Sequence, residues 1–166
     1  MISTPRLDLL PLRVEHAAEM ALVLADRALH TFIGGTPLTP AALEARYERL
    51  VAGSPDPAEQ WLNWVISLRT SGRLVGTVQA TIAGEAAEIA WVVGTPWQGQ
   101  GIAGEAARGL VAWLTTQPVR TVLAHIHPDH HASAAVAASA GLAATDIQQD
   151  GEVRWQWTSH QKGSEL

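Results

Sequence analysis

Residues 97–114 read WQGQGIAGEAARGLVAWL, a glycine-rich turn that runs directly into an amphipathic helix. Gly99 and Gly101 carry no side chain to obstruct a ligand. The first amides of the helix point outward, unpaired, at the positive end of its dipole, so the junction is suited to phosphate.

Two motifs share these letters. Gly99 to Gly104 spell the Gly-x-Gly-x-x-Gly dinucleotide fingerprint, while Gln98 to Ala103 spell Gln-x-x-Gly-x-Ala, a pyrophosphate loop. The dinucleotide motif should open the first βαβ unit and be followed about 20 residues later by an acidic residue on a parallel strand. Here the motif lies deep in the chain, behind what read as antiparallel hairpins, and too little chain follows for most of a doubly wound sheet. A triphosphate loop is excluded because no Gly-Lys-Ser/Thr closes the motif.

The 166 residues suit a single domain over residues 1–166, large enough to bury roughly two-thirds of its unfolded surface. The absence of cysteine excludes disulfides and a cysteine nucleophile. The start, MISTPRLDLLPLR, lacks the apolar core of a signal peptide, and no long apolar run follows, so a cytoplasmic protein without membrane partners is expected. A formal net charge of −5 argues against a nucleic-acid partner. Seven tryptophans against one phenylalanine and one tyrosine are expected to fill core and groove walls.

Outward from the loop, residues 6–13 alternate as a strand and 14–25 carry helical spacing. Thr39-Pro40 starts a helix in which Leu43, Tyr47 and Leu50 share a face. WLNWVISLR, LVGTVQATI and EIAWVVG form a meander around Ser71-Gly72 and Ala83-Gly84-Glu85. After the loop helix come a strand in RTVLAHIH, an alanine-rich helix over 131–140, and strands near 142–147 and 152–157, with a frayed tail after about residue 159. The order is β, α, α, β, β, β, α, β, α, β, β, an α/β class with a mixed sheet and helices on both faces.

On these residues the chain resembles the GNAT superfamily of N-acetyltransferases, in the RimJ/RimL-like branch that acetylates ribosomal-protein N termini. Thr4-Pro5-Arg6-Leu7 with Pro11-Leu12 is typical of that branch, residues 98–103 fit the acetyl-CoA loop, and residues 128–133 resemble a Pro-x-Asn-x-x-Ser segment. The resemblance implies a sheet of about seven strands with about four helices, in which the fourth and fifth strands splay around the pantetheine arm. It implies acetyl-CoA as cosubstrate and an amine acceptor as partner, allows a homodimer, and requires no metal. Backbone groups of Val92 and Val93 on a bulged fourth strand would meet the pantetheine amides, one amide serving as oxyanion donor. Amides of Gln98, Gly99, Gln100, Gly101, Ile102 and Ala103 would hold the pyrophosphate. In the helix behind, Ala103, Ala106, Ala107, Leu110, Val111 and Leu114 form a packing face.

Ser133 matches the family serine near the sulfur and would stabilise the leaving thiolate; a helix-start serine capping a backbone amide is the structural alternative. Glu88 and Glu152 are the two candidates for a base, and either could instead be a solvated carboxylate. A protein α-amine, with a pKa of about 7.7 to 8.0, needs little help to lose its proton. His130 replaces the usual asparagine, keeping a hydrogen bond to the cofactor within reach and adding a group that titrates near neutrality. His125 and His127 share a strand face, which raises either a zinc pair or two histidines lining the acceptor side of the groove. The sequence thus reads as an acetyl-CoA-dependent N-acetyltransferase acting on a primary amine through a ternary complex. The alternatives are a non-catalytic acyl-CoA-binding module and a dinucleotide-binding protein.

Overall fold

The structure, a computed structural model, describes residues 1–30 and 35–159. Most of the expected tail lies outside the described residues. Eight strands form one sheet: β1 (Ile2–Ser3), β2 (Leu7–Pro11), β3 (Glu59–Leu68), β4 (Leu74–Ala83), β5 (Ala86–Val93), β6 (Thr121–Ile126), β7 (Ala143–Gln149) and β8 (Glu152–Thr158), in the order β1-β2-β3-β4-β5-β6-β8-β7. The helices are α1 (Ala17–Val23), α2 (Pro40–Ala52), α3 (Ile102–Leu114) and α4 (His131–Ser139). The sheet therefore has one strand more than expected. The extra strand is β1, which precedes the strand read over 6–13 (observed as β2) and folds back antiparallel on it through Ile2↔Leu9, so the expected fourth and fifth strands are β5 and β6.

Local chemistry sets these boundaries. The Thr39 hydroxyl accepts the Ala42 amide at 3.2 Å and Pro40 opens α2. Residues 14–16 wind as a tighter 3-10 turn before α1, shortening the helix read over 14–25. Asp150 and Gly151 both take positive φ, 52° and 80°, as the two-residue turn joining β7 to β8 demands. Among the described strands the β5–β6 pair is parallel and the others are antiparallel, which removes the doubly wound sheet a dinucleotide fold would need.

The main core lies where α3 covers the sheet: Leu7, Leu9, Ile66, Val78, Ile89 and Val122 pack against Ala106, Leu110 and Leu114. A second cluster on the other side joins Met20 and Val23 of α1 to Leu43 and Tyr47 of α2 over Val65 and Leu74. Helices thus cover both faces of the sheet, α3 on one side and α1 with α2 over β3 and β4 on the other. Gly76 lets β4 approach the end of β5, since a Cβ there would sit 2.2 Å from the Val92 carbonyl oxygen.

Candidate active site

Strands β5 and β6 pair only through Ala86↔Thr121, Ala87↔Val122 and Glu88↔Leu123, then diverge while β5 continues to Val93 and β6 to Ile126. A cavity of about 720 Å³ occupies the divergence. Residues 88–92 of β5, and 124–126 of β6 with His127 just beyond its end, line it consecutively. Side chains on a strand alternate between faces, so an unbroken run of lining residues means that the strand edges themselves border the gap.

The two valines expected to meet the cofactor divide. Pairing of β5 with β4 keeps register from Ala83↔Ala86 to Gly76↔Val93, and the Gly94 amide donates to the Val75 carbonyl at 2.8 Å. Alternation then turns the backbone groups of Val92 toward β4 and those of Ile89, Trp91 and Val93 toward the gap. The Val93 carbonyl accepts the Gln98 side-chain amide at 3.0 Å. The expected bulge in this strand is not found among the described pairs; register shifts occur instead between β3 and β4 at Ile66 and Ser67 and between β7 and β8 at residues 144–148.

Past β5, residues 98–101 are exposed, and Gly99 and Gly101 both adopt φ of 77°, a region that disfavours side chains. The first hydrogen bond of α3 runs from the Glu105 amide to the Gly101 carbonyl at 3.1 Å, so the Ile102, Ala103 and Gly104 amides precede the internal ladder. The Gln98 amide, by contrast, is taken by the Thr95 carbonyl at 3.2 Å. Arg6 braces the loop from β2's approach: its Nη1 donates to the Gln100 carbonyl at 2.9 Å and its Nε to Glu105 Oε1 at 2.7 Å. Glu105 is 8% exposed and also accepts from the Thr4 hydroxyl and the Arg6 amide. Burial raises its pKa, but the bonds from Thr4 and Arg6 and the guanidinium charge outweigh this and hold it below the usual carboxylate value.

On the gap itself, Glu88 Oε1 lies 2.7 Å from His125 Nδ1. Arg154 Nε donates to His125 Nε2 at 3.5 Å. Glu152, His130 and Ser133 line the same cavity, whereas residues 98–103 lie beyond its walls. Ser133 Oγ lies 3.3 Å from His130 Nε2, and the residue at the cap of α4 is His130. Burial, followed by the His127 charge, lowers the His130 pKa, so its imidazole is neutral at neutral pH. His125 and His127 turn to different partners, for His127 Nδ1 accepts the Asp129 amide at 3.1 Å. No group of three or more potential metal ligands occurs among the described residues.

Sequence reading gave no role to Arg6, Glu105, Tyr47 or Arg154. Tyr47, read only as a core residue, is 3% exposed yet borders the cavity, and its hydroxyl has no hydrogen-bond partner among the described residues. Trp64 packs edge-on against Trp113, ring centroids 5.4 Å apart, and forms the cavity wall with Trp91. Arg73 stacks over Trp97 at 5.3 Å.

A splayed parallel pair beside a glycine loop and helix N terminus defines an acyl-CoA transferase type of fold. The chain belongs to the acetyltransferase (GNAT) domain family, whose model matches residues 6–143, and membership makes it an acetyl-CoA-dependent N-acetyltransferase domain. Solved structures agree in fold. The acetyltransferase (GNAT family) from Bacillus anthracis superposes with a TM-score of 0.80 at 16% identity, over 95% of this chain and 97% of that one. RimL, a ribosomal L7/L12 alpha-N-protein acetyltransferase in complex with coenzyme A, gives 0.77 at 16%, over 93% and 95%. Spermidine N-acetyltransferase from Vibrio cholerae, in complex with CoA and spermine, gives 0.74 at 16%, over 93% and 96%. No curated protein matches the sequence significantly.

Proposed function

We propose that this domain transfers acetyl from acetyl-CoA to a primary amine by direct attack in a ternary complex, with a protein α-amino terminus as the first acceptor to test. The observation that carries the reading is the gap between β5 and β6, bordered by strand edges, with the glycine loop and the N terminus of α3 following β5 in the chain. The pantetheine arm would lie in the gap as an added strand, bonding the outward backbone of Trp91 and Val93. The pyrophosphate would rest on loop amides from Gly99 to Ala103, with Ile102 and Ala103 supplying the unpaired helix amides. In this arrangement Ser133, beside His130, stabilises the departing thiolate. Glu88 and Glu152 supply negative charge where the acceptor ammonium enters. The opening Thr4-Pro5-Arg6-Leu7 and the likeness to RimL favour the α-amine, while the spermidine enzyme of the same fold makes a polyamine the natural competitor.

The test is an acceptor screen. Purified protein with acetyl-CoA is offered serine- and alanine-initiated peptides, spermidine, free amino acids and an aminoglycoside, while release of free CoA thiol is followed. Acceptor-dependent thiol release with N-acetylated peptide supports the proposal. Tight CoA binding with no release from any acceptor points instead to an acyl-CoA-binding module.

A further inference from the structure

The contact between Glu88 and His125 follows from register. Glu88 faces Leu123 in the last β5–β6 pair, and His125, two residues farther along β6, projects to the same side as Leu123. On the other flank His125 pairs directly with Arg154 in the antiparallel β6–β8 ladder. A carboxylate, an imidazole and a guanidinium thus form a row across three strands at the point where the gap opens. The His125 side chain is only 8% exposed, yet it borders the cavity. Its partners also assign the tautomer. Glu88 as a carboxylate can only accept and Arg154 can only donate, so the ring proton lies on Nδ1 and the lone pair on Nε2. At 3.5 Å the arginine bond is at the outer limit of hydrogen bonding, so it is readily given up when Nε2 takes a proton.

Resting on the acetyltransfer reading above, we propose that His125 is the catalytic base of this site and that Glu88 is a positioning residue acting through it. The acceptor arrives as an ammonium and passes one proton to His125 Nε2, leaving a neutral amine and an imidazolium bonded to the Glu88 carboxylate. The amine nitrogen forms a bond to the thioester carbonyl carbon. On collapse the carbon–sulfur bond breaks with its electron pair going to sulfur, and the second nitrogen proton goes to that sulfur. The products are the N-acetyl amide and CoA thiol, and the imidazolium returns its proton to solvent. Beyond Glu88, the charged or titratable groups that line this cavity include Glu152, His127, His130, His30, Arg46 and Tyr47, while Arg154 reaches His125 from β8 without lining the cavity. His130 is held neutral by burial, and Glu152 lies on the same face of β8 as Arg154.

The experiment uses the full chain with acetyl-CoA and two probes, a serine-initiated tetrapeptide and spermidine. His125→Gln, which keeps a hydrogen-bonding group, should lower kcat about 100-fold at unchanged KM for acetyl-CoA and remove the acidic limb of the rate profile. Glu88→Gln should lower kcat about tenfold while retaining that limb. A His125→Gln enzyme that keeps the acidic limb, or loses less than threefold in kcat, overturns the proposal. Imidazole nitrogen NMR on the CoA complex gives a readout that needs no turnover: the wild type should show the Nδ1–H tautomer at His125, as an accepting Glu88 and a donating Arg154 require. If neither probe is acetylated, the α-amine and polyamine readings fail together, and an Nε2–H tautomer at His125 in the wild type overturns the Glu88–His125 assignment independently.

Discussion

Arg6 and Glu105 meet across most of the sequence, through the Arg6 Nε bond to Oε1 at 2.7 Å and the Arg6 backbone amide bond to Oε2 at 2.9 Å. Because the same guanidinium also holds the Gln100 carbonyl, the start of β2, the glycine loop and the first turn of α3 are fixed as one piece. The acid sits in the first turn of α3, where the helix dipole favours its charge.

Removing the arginine therefore strands a buried carboxylate and loosens the loop. Arg6→Ala should cost about 2 kcal/mol in urea-unfolding stability, below the range for fully buried pairs because the Arg6 side chain is half exposed. It should also weaken CoA binding, measured by calorimetry, by about tenfold. Glu105→Gln, which retains volume and can still accept from Thr4 and Arg6, should lose less on both counts. Equal CoA affinity in Arg6→Ala and wild type would show that the loop keeps its shape without the clamp.

Gly101 stands at the helix cap with φ of 77°, and a Cβ there would lie 3.4 Å from the Arg6 guanidinium. Gly101→Glu should abolish measurable CoA binding, because it strains the backbone and places a carboxylate where the pyrophosphate would rest. Gly84→Glu is the control: φ is also positive, at 59°, but the residue sits in the β4–β5 turn with nothing within 4 Å of a new Cβ. Isothermal titration of both variants decides. Undiminished binding in Gly101→Glu would place the phosphate elsewhere.

The meander and the loop–helix junction were legible because their signals are local. Ser71-Gly72 and Gly84 punctuate hairpins, Thr39-Pro40 caps a helix, and the glycines at 99 and 101 require left-handed backbone. The short strand β1 was not legible, since two residues carry no periodic signal and the turn after it is held by Thr4 bonding to Glu105 on a distant helix. Nor was the division between Val92 and Val93, which is fixed by which side of β5 faces β4 and is invisible in a run of apolar residues. His125 and His127 looked equivalent by strand alternation. Their partners separate them: the pairing register brings Glu88 within reach of the first, while β6 ends at Ile126 before the second.

Tyr47 shows a cost that sequence does not reveal. Burial raises its phenol pKa to about 12, and its buried hydroxyl has no partner among the described residues. Tyr47→Phe should stabilise the ligand-free protein by about 1 kcal/mol, a rise of roughly 2–4 °C in Tm. Calorimetric melting of the two proteins checks this, and a lower Tm in the variant would mean that the hydroxyl is bonded in solution.

Stability should fall in two stages as the protein is acidified. Burial holds the His16 and His130 imidazoles below their usual 6.5; for His16 it prevails over the attraction of Glu15. The unfolded chain protonates them first, so their contribution is intact above pH 6.5 and is lost as pH falls from there toward their folded values. Glu105 acts in a lower window. Its folded pKa lies below the usual carboxylate value of 4.5, so the stability it supplies is present above that value and disappears as pH drops through the folded one. Urea midpoints measured between about pH 8 and pH 3 should therefore show an upper slope and a lower slope. His130→Asn should flatten the upper slope, and Glu105→Gln the lower one. An upper slope unchanged in His130→Asn would assign that stage to His16 or to another histidine.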